Sequence, residues 1–399
     1  MLPETVFRNK WVEIDLGAVA HNVKLTRELV GAEVKIYACV KADGLGCGLV
    51  PMALMAAESG ADALAVMDAN DVVTLRRAGL TLPILLFACT LPEQAAELAA
   101  LDVIPTIHDF PSLEAFACLE HPVEVFIKIG RGRYGFIESQ WDDAFKALSN
   151  APALKVRGIY THGFSDNPES MRNLKALFER ACAKATEFGF VDFEKMLACS
   201  RTVIDHPELH MTAVCPGRLL IGHLPMPWPH KAPLQPAICA VKSRITQVQE
   251  YPAGSAPKFN YEGDESLLDK PVRTAVAPIG HLDGLNKTPP LGHVLIGGCY
   301  AAVLSRGVDS TVIDVTEVTN VAVGDEVVLL GRQGSEVITD HELADSINLT
   351  VLELFVRLAR NTHRVYLNAN QSDTVARQLS SWSKAHSRST GTYITGLEG

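Results

Sequence analysis

Between about residues 34 and 220, short apolar runs alternate with Ala- and Leu-rich stretches of helical spacing, and few architectures accept that alternation. Val34–Val40 precedes Val50–Glu58, Ala63–Val66 precedes Ala69–Ala78, Ile84–Phe87 precedes Glu93–Ala100, and Ile104–Thr106 precedes Pro111–Cys118. Val123–Ile127 then precedes Trp141–Leu148, Gly158–Tyr160 precedes Glu169–Phe188, and a last unit ends in Ala213–Pro216. Strands joined through helices pair in parallel, because each crossover carries the chain back along the sheet. So many units favour an α/β fold closed as a (β/α)8 barrel over an open sheet. In such a barrel the C-terminal strand ends carry chemistry, and Lys41, Lys128, His162, Ser200 and Cys215 fall there.

Near residue 225 the character changes. Pro225, Pro227, Pro229, Pro233 and Pro236 form a linker, after which β-rich runs follow at Ile238–Glu250, Thr274–Ile279, His293–Ile296, Ala301–Leu304, Thr311–Thr316 and Glu326–Leu330. Val323-Gly324-Asp325-Glu326 reads as a turn, and Asp340–Ala359 as one terminal helical stretch. The expected organisation is a barrel over 10–235 and a mostly β C-terminal domain over 236–370, which the N-terminal strand around 8–16 could join. The tail, 371–399, is rich in Ser, Thr and Gly, with Trp382, Tyr393 and Ile394 as its anchors, and reads as flexible or partner-contacting.

Charge and cysteine usage narrow the function classes. A net charge of −10 over 399 residues, without long runs of one sign, argues against a nucleic-acid surface. No apolar run reaches the ~18–20 residues that span a bilayer, and Met1-Leu2-Pro3-Glu4 does not open a signal peptide. Nine scattered cysteines without a CxxC pair suit a reducing cytoplasm, and no metal is expected.

The densest local signal is Val40-Lys41-Ala42-Asp43-Gly44-Leu45-Gly46-Cys47-Gly48, a lysine ending an apolar strand ahead of a glycine-rich turn. A buried amine there suits pyridoxal phosphate chemistry, since desolvation favours the neutral amine that condenses with an aldehyde. With this motif and its companions, the chain resembles the alanine racemase family, the fold-type III pyridoxal phosphate enzymes, over roughly residues 10 to 367. The companions are Trp11-Val12-Glu13-Ile14-Asp15-Leu16 with His21-Asn22, Lys128 to Arg133-Tyr134-Gly135-Phe136, Thr161-His162, Cys199-Ser200 and Pro216-Gly217. Further along come Gly280-His281-Leu282-Asp283-Gly284, Val308-Asp309, Gly324-Asp325-Glu326-Val327 and His363-Arg364-Val365-Tyr366.

The resemblance implies a homodimer with sites shared across the interface. It implies Lys41 as the residue that holds pyridoxal 5'-phosphate and serves one face of the substrate. It places Arg133, supported by Lys128, at the cofactor's phenolic oxygen and near the substrate, and His162 beside the pyridine ring. Ser200, Gly217 and the backbone of Arg218 are implied around the phosphate, where N–H groups opening a helical turn suit an anion. Asp309 is implied on the partner-derived side of the substrate site.

Six positions depart from the family pattern, two of them Cys47 for a common histidine and Val308 for the methionine usually before the aspartate. His281 stands where a tyrosine acts as the second base; an imidazole, with a reference pKa of about 6.5 against about 10, is a competent proton shuttle. Cys215 replaces the arginine that faces the pyridine nitrogen, which leaves the ring electronics open. Leu45 and Leu352 replace tyrosines at the phosphate and the substrate entrance, which implies a pocket too wide for alanine to fill. The reading that follows is a racemase or epimerase of an amino acid larger than alanine, with Lys41 and His281 as opposed bases. A decarboxylase or aldolase on the same fold, and a non-catalytic cofactor-binding homologue, are the alternatives. For the substrate side chain, Arg218 and Arg306 would suit an acidic group and Asp283 or Asp309 a basic one.

Overall fold

The computed structural model describes residues 9–163, 165–224, 233–259, 267–369, 373–390 and 392–394, so the prolines expected to form a linker at 225, 227 and 229 lie outside it. Two compact units result: one is Ala18–Leu45 with Leu49–Pro236, the other the chain up to Gly17, Gly46–Gly48 and the residues from Ala237 on. Strand β1 (Lys10–Asp15) belongs to the second.

The first unit is a closed barrel of eight parallel strands: β2 (Lys35–Cys39), β3 (Ala63–Val66), β4 (Ile84–Leu86), β5 (Ile104–Ile107), β6 (Val123–Lys128), β7 (Leu154–Tyr160), β8 (Glu194–Cys199) and β9 (Ala213–Cys215), with β9 closing on β2. Every residue of β3, β4 and β5 is buried, the signature of strands covered by helices outside and side chains inside. Tyr37, Phe126, Tyr160 and Phe87 pack edge-on and tilted through the interior, with ring centroids 5.5, 6.2 and 5.1 Å apart. Gly158 makes room for this column: a Cβ there would stand 2.2 Å from the Phe126 ring. β7 starts at Leu154, earlier than the expected Gly158–Tyr160, because Lys155 and Arg157 interrupt its apolar run.

The second unit is a mostly β sheet built from β10 (Ile238–Arg244), β11 (Gln247–Tyr251), β12 (Val272–Ala277), β13 (His293–Ile296), β14 (Cys299–Arg306), β15 (Thr311–Asp314), β16 (Glu326–Gln333), β17 (Glu336–Ile338), β18 (His363–Leu367) and β19 (Thr392–Ile394). The order is β11-β12-β15-β14-β13-β16-β10-β1-β18-β19, with β17 on β16. The N-terminal strand β1 thus lies between β10, antiparallel, and β18, parallel.

Two expectations change here. Ile238–Glu250 is two strands, because the chain leaves β1 and β16 at Arg244 and takes up pairing with β12 at Gln247. Asp340–Ala359 is two helices, Asp340–Ser346 and Val351–Asn361. Asn348 has φ +53° between them, and Thr339 with Glu342 and Thr350 with Glu353 form reciprocal caps. Within 371–399, Asp373–Thr390 is helical and β19 pairs with β18. Buried Val375 and Leu379, four residues apart among Ser and Thr, anchor that helix.

Candidate active site

At the barrel mouth, β2 ends at Cys39 and Lys41 opens a left-handed turn in which Ala42, Asp43, Gly44 and Leu45 have φ of 53, 55, 63 and 56°. Left-handed backbone costs about 1–2 kcal/mol for each non-glycine residue. Local bonds offset part of it: the Gly44 N–H donates to the Val40 carbonyl (2.9 Å), and Asp43 Oδ1 accepts the Leu49 N–H (2.8 Å). Strain of this kind gathers where a side chain must be aimed. The sequence suggests a buried amine; the structure leaves Lys41 exposed, because the strand stops two residues earlier and the turn lifts it to the rim.

Thiols from three adjacent strands lie beside it. Cys199 and Cys215 are register partners on β8 and β9, and the Cys39 N–H donates to the Pro216 carbonyl (2.9 Å). Cys39 shares a hydrogen bond with Cys215; that bond, and the nearby Lys41 charge, outweigh burial and bring the Cys39 thiol down to about 7. The same bond, with burial, pushes Cys215 well up. Burial raises the Cys199 thiol, but hydrogen bonds with His162 and Thr202 prevail and bring it down to about 7. Cys215 is thus a neutral thiol, and His162, itself exposed, is hydrogen-bonded to Cys199.

An anion cradle adjoins the Lys41 turn. Buried Ser200 opens the helix Ser200–Asp205, and its Oγ accepts the N–H groups of Gly217 (2.8 Å) and Leu219 (3.1 Å). With both acceptor sites taken, the Ser200 hydroxyl proton is left to donate outward. The Arg218 N–H, between those two, has no partner among the described residues. The two turns touch: a Cβ at Gly217 would stand 3.3 Å from Leu45 Cδ1 and 3.4 Å from Cys39 Cβ. An amine on one strand and, on its neighbours, a turn that offers the Ser200 hydroxyl and the Arg218 N–H fit an aldehyde that carries a phosphate.

Lys128, at the end of β6, is 6% exposed, with Nζ 4.6 Å from the Tyr160 ring centroid and 5.6 Å from that of Tyr134. Burial first, then the Arg131 charge, brings its ammonium down to about 8. The following loop folds back on the strand, with the Phe136 N–H on the Lys128 carbonyl (2.9 Å) and the Gly130 N–H on the Phe136 carbonyl (3.0 Å). Arg133 is exposed on this loop. Arg131 is the guanidinium that packs over the backbone beside His162, so close that a Cβ at Gly163 would meet it at 2.5 Å. Sequence reasoning passed over Arg131, although the Arg-Gly-Arg run offered two candidates.

His281, Asp309 and Leu352 belong to the β-rich unit. His281 is exposed on a single 3-10 turn, His281–Asp283, and its Nδ1 lies 2.9 Å from the Leu285 carbonyl oxygen. Asp309 is exposed, and Ser310 Oγ donates to it at 3.3 Å. Leu352 is half-buried in the first turn of Val351–Asn361. Two candidates for a charged substrate group are otherwise engaged. Asp283 is fully buried against Lys10, and buried Arg306 donates to the carbonyls of Asn286 (3.0 Å) and Leu291 (3.1 Å). Among the described residues, no group of three or more His, Cys, Asp or Glu forms a metal site. No helix among them is long and apolar enough to cross a membrane.

Comparison with known proteins bears on the whole chain. Residues 14–225 match the family model "Alanine racemase, N-terminal domain", and residues 238–366 match "Alanine racemase, C-terminal domain". Alanine racemase of Desulfosudis oleivorans is 32% identical over 91% of this chain and 97% of its own length. That of Methanococcus maripaludis is 32% identical over 90% and 98%. Among solved structures, alanine racemase from Bacillus anthracis with bound L-Ala-P superposes with a TM-score of 0.83 at 26% identity, over 92% of this chain and 96% of that one.

Proposed function

Since the chain belongs to the alanine racemase family, pyridoxal 5'-phosphate-dependent isomerases, we propose that it racemises an amino acid larger than alanine, with Lys41 and His281 as opposed bases. The contact between Leu45 of the Lys41 turn and the Ser200-capped Gly217 turn supports this reading, because it brings the segment that carries the Lys41 amine beside an anion cradle. The cofactor, when bound, draws electrons away from the substrate Cα so that its proton becomes removable. Ser200 and the Arg218 N–H would hold the phosphate, and Arg133 would reach the phenolic oxygen and the substrate carboxylate. His162 and neutral Cys215 would line the ring.

Racemisation needs proton transfer on both faces of Cα. Lys41 serves one face, and His281 of the partner subunit serves the other in a homodimer that shares its sites. Asp309 borders the partner-derived side. Leu45 and Leu352 offer no hydrogen bond where phenols would, and they leave room for a side chain longer than a methyl group. The expected compartment is the cytoplasm.

The test is a panel of L-amino acids incubated with the holoenzyme in heavy water. Deuterium at Cα with loss of optical rotation, faster for longer side chains than for alanine, is the expected result. Exchange confined to alanine would overturn the substrate assignment. Release of carbon dioxide or an aldehyde would overturn racemisation itself.

A further inference from the structure

The turn that carries His281 is fastened more tightly than an exposed loop needs. Asp283 is 0% exposed, and its Oδ1 pairs with Lys10 Nζ at 2.6 Å across 273 residues of sequence. Its other oxygen accepts the Gly280 N–H (2.8 Å), while the Asp283 N–H returns to the Gly280 carbonyl (3.1 Å). Asp283 therefore closes the turn through both its carboxylate and its backbone N–H. Outside the turn, the His281 N–H donates to the Gly307 carbonyl (3.0 Å) and the Leu282 N–H to the Val308 carbonyl (2.8 Å). Asn361 Nδ2 donates to the Leu282 carbonyl. Gly284, at φ +98°, brings the chain back so close to the helix Val351–Asn361 that a Cβ would meet Arg357 Cβ at 2.6 Å.

This frame presents the Leu285 carbonyl to His281 Nδ1 at 2.9 Å. A carbonyl oxygen only accepts, so Nδ1 must carry the hydrogen, and in the neutral ring the lone pair then resides on Nε2. We infer that the fold hands His281 to the reaction as one tautomer, Nδ1–H with a bare Nε2, and that buried Asp283, paired with Lys10, is the positioning residue that keeps it so. The consequence for function rests on His281 acting as the second base: only Nε2 exchanges protons with Cα, and the ring needs no rearrangement between turnovers. A buried carboxylate whose charge is matched by one lysine resists leaving its place, because either partner alone would be an uncompensated charge.

The experiment has two arms on the holoenzyme. In the first, the protein labelled with 15N-histidine is examined by long-range 1H–15N correlation at alkaline pH, with His281→Gln identifying the signals. A protonated Nδ1 and a bare Nε2 are expected; an Nε2–H ring, or a mixture, overturns the inference. In the second, Asp283→Asn keeps an acceptor for the Gly280 N–H but removes the charge that Lys10 matches. Its kcat should fall about ten- to a hundred-fold at temperatures well below its thermal midpoint, the scale of a misplaced catalytic group. The midpoint itself drops because Lys10 loses its match, while KM moves little and the ring signals become mixed. An unchanged kcat overturns the inference, as does a fall in kcat that only follows a fall in thermal midpoint with the tautomer retained. His281→Gln separates the layers: full racemisation in that variant sinks the two-base reading, whereas the tautomer result stands on its own.

Discussion

The two ends of the barrel solve opposite problems. In the N-terminal half, Tyr37 donates to Glu194 (2.5 Å), and Arg157 reaches Tyr37 Oη (3.2 Å), Glu194 (3.4 Å) and Glu124 (2.8 Å). Each of these four groups has a partner, and burial together with Glu194 holds the Tyr37 phenol far above its usual range. At the mouth the chain does the reverse: three non-glycine residues sit in left-handed backbone, a lysine stands exposed, and thiols are drawn toward ionisation. The contrast teaches that stability is concentrated where nothing reacts, and strain is tolerated where a side chain must be delivered.

The sharpest way to break this contrast is to remove one residue from each end. Lys41→Ala should lower turnover at least ~1000-fold, within the range for loss of a general base or nucleophile, with unfolding free energy changed by less than about 0.5 kcal/mol. Turnover and denaturant titration measure the two effects side by side. Glu194→Ala should give the mirror image: about 3 kcal/mol of stability lost by urea unfolding, since Tyr37 and Arg157 lose their shared acceptor, with the visible cofactor band retained. Loss of the band without loss of stability would erase the division between the ends.

Lys128 tests the boundary. Its ammonium is brought from 10.5 down to about 8, so below pH 8 the folded and unfolded states are both protonated and the buried charge weighs fully against folding. Between pH 8 and 10.5 the native state has shed the proton that the unfolded state keeps, and stability rises with pH. Lys128→Met should therefore be more stable than the parent by about 3 kcal/mol at pH 7, with an advantage that shrinks toward pH 10. A constant difference across that window would mean that the amine is not buried as described. The smallest effect is expected from Ala42→Gly, which relieves one left-handed residue and should add about 1 kcal/mol by thermal unfolding.

Much of the fold is legible because strand and helix periods alternate so regularly, and Lys41, Ser200 and Gly217 stand at the boundaries that this alternation marks. The rest was hidden for identifiable reasons. Cys39 and Cys199 look like ordinary core thiols until β2, β8 and β9 bring them beside Lys41 and His162. Lys10 and Asp283 are 273 residues apart, and only the insertion of β1 into the far sheet pairs them. Arg131 and Arg133 are two residues apart, and a backbone loop decides which one packs on Gly163. By contrast, the Thr350-to-Glu353 capping box was readable and would have split Asp340–Ala359 in advance.

The rim amine beyond β2 is the group on which the chemistry turns, and borohydride reduction of the holoenzyme followed by peptide mapping tests its role most directly. One stable pyridoxyl adduct, on the peptide that contains Lys41 and absent from Lys41→Ala, is the predicted outcome. An adduct on Lys128 or any other lysine, or none, would contradict it.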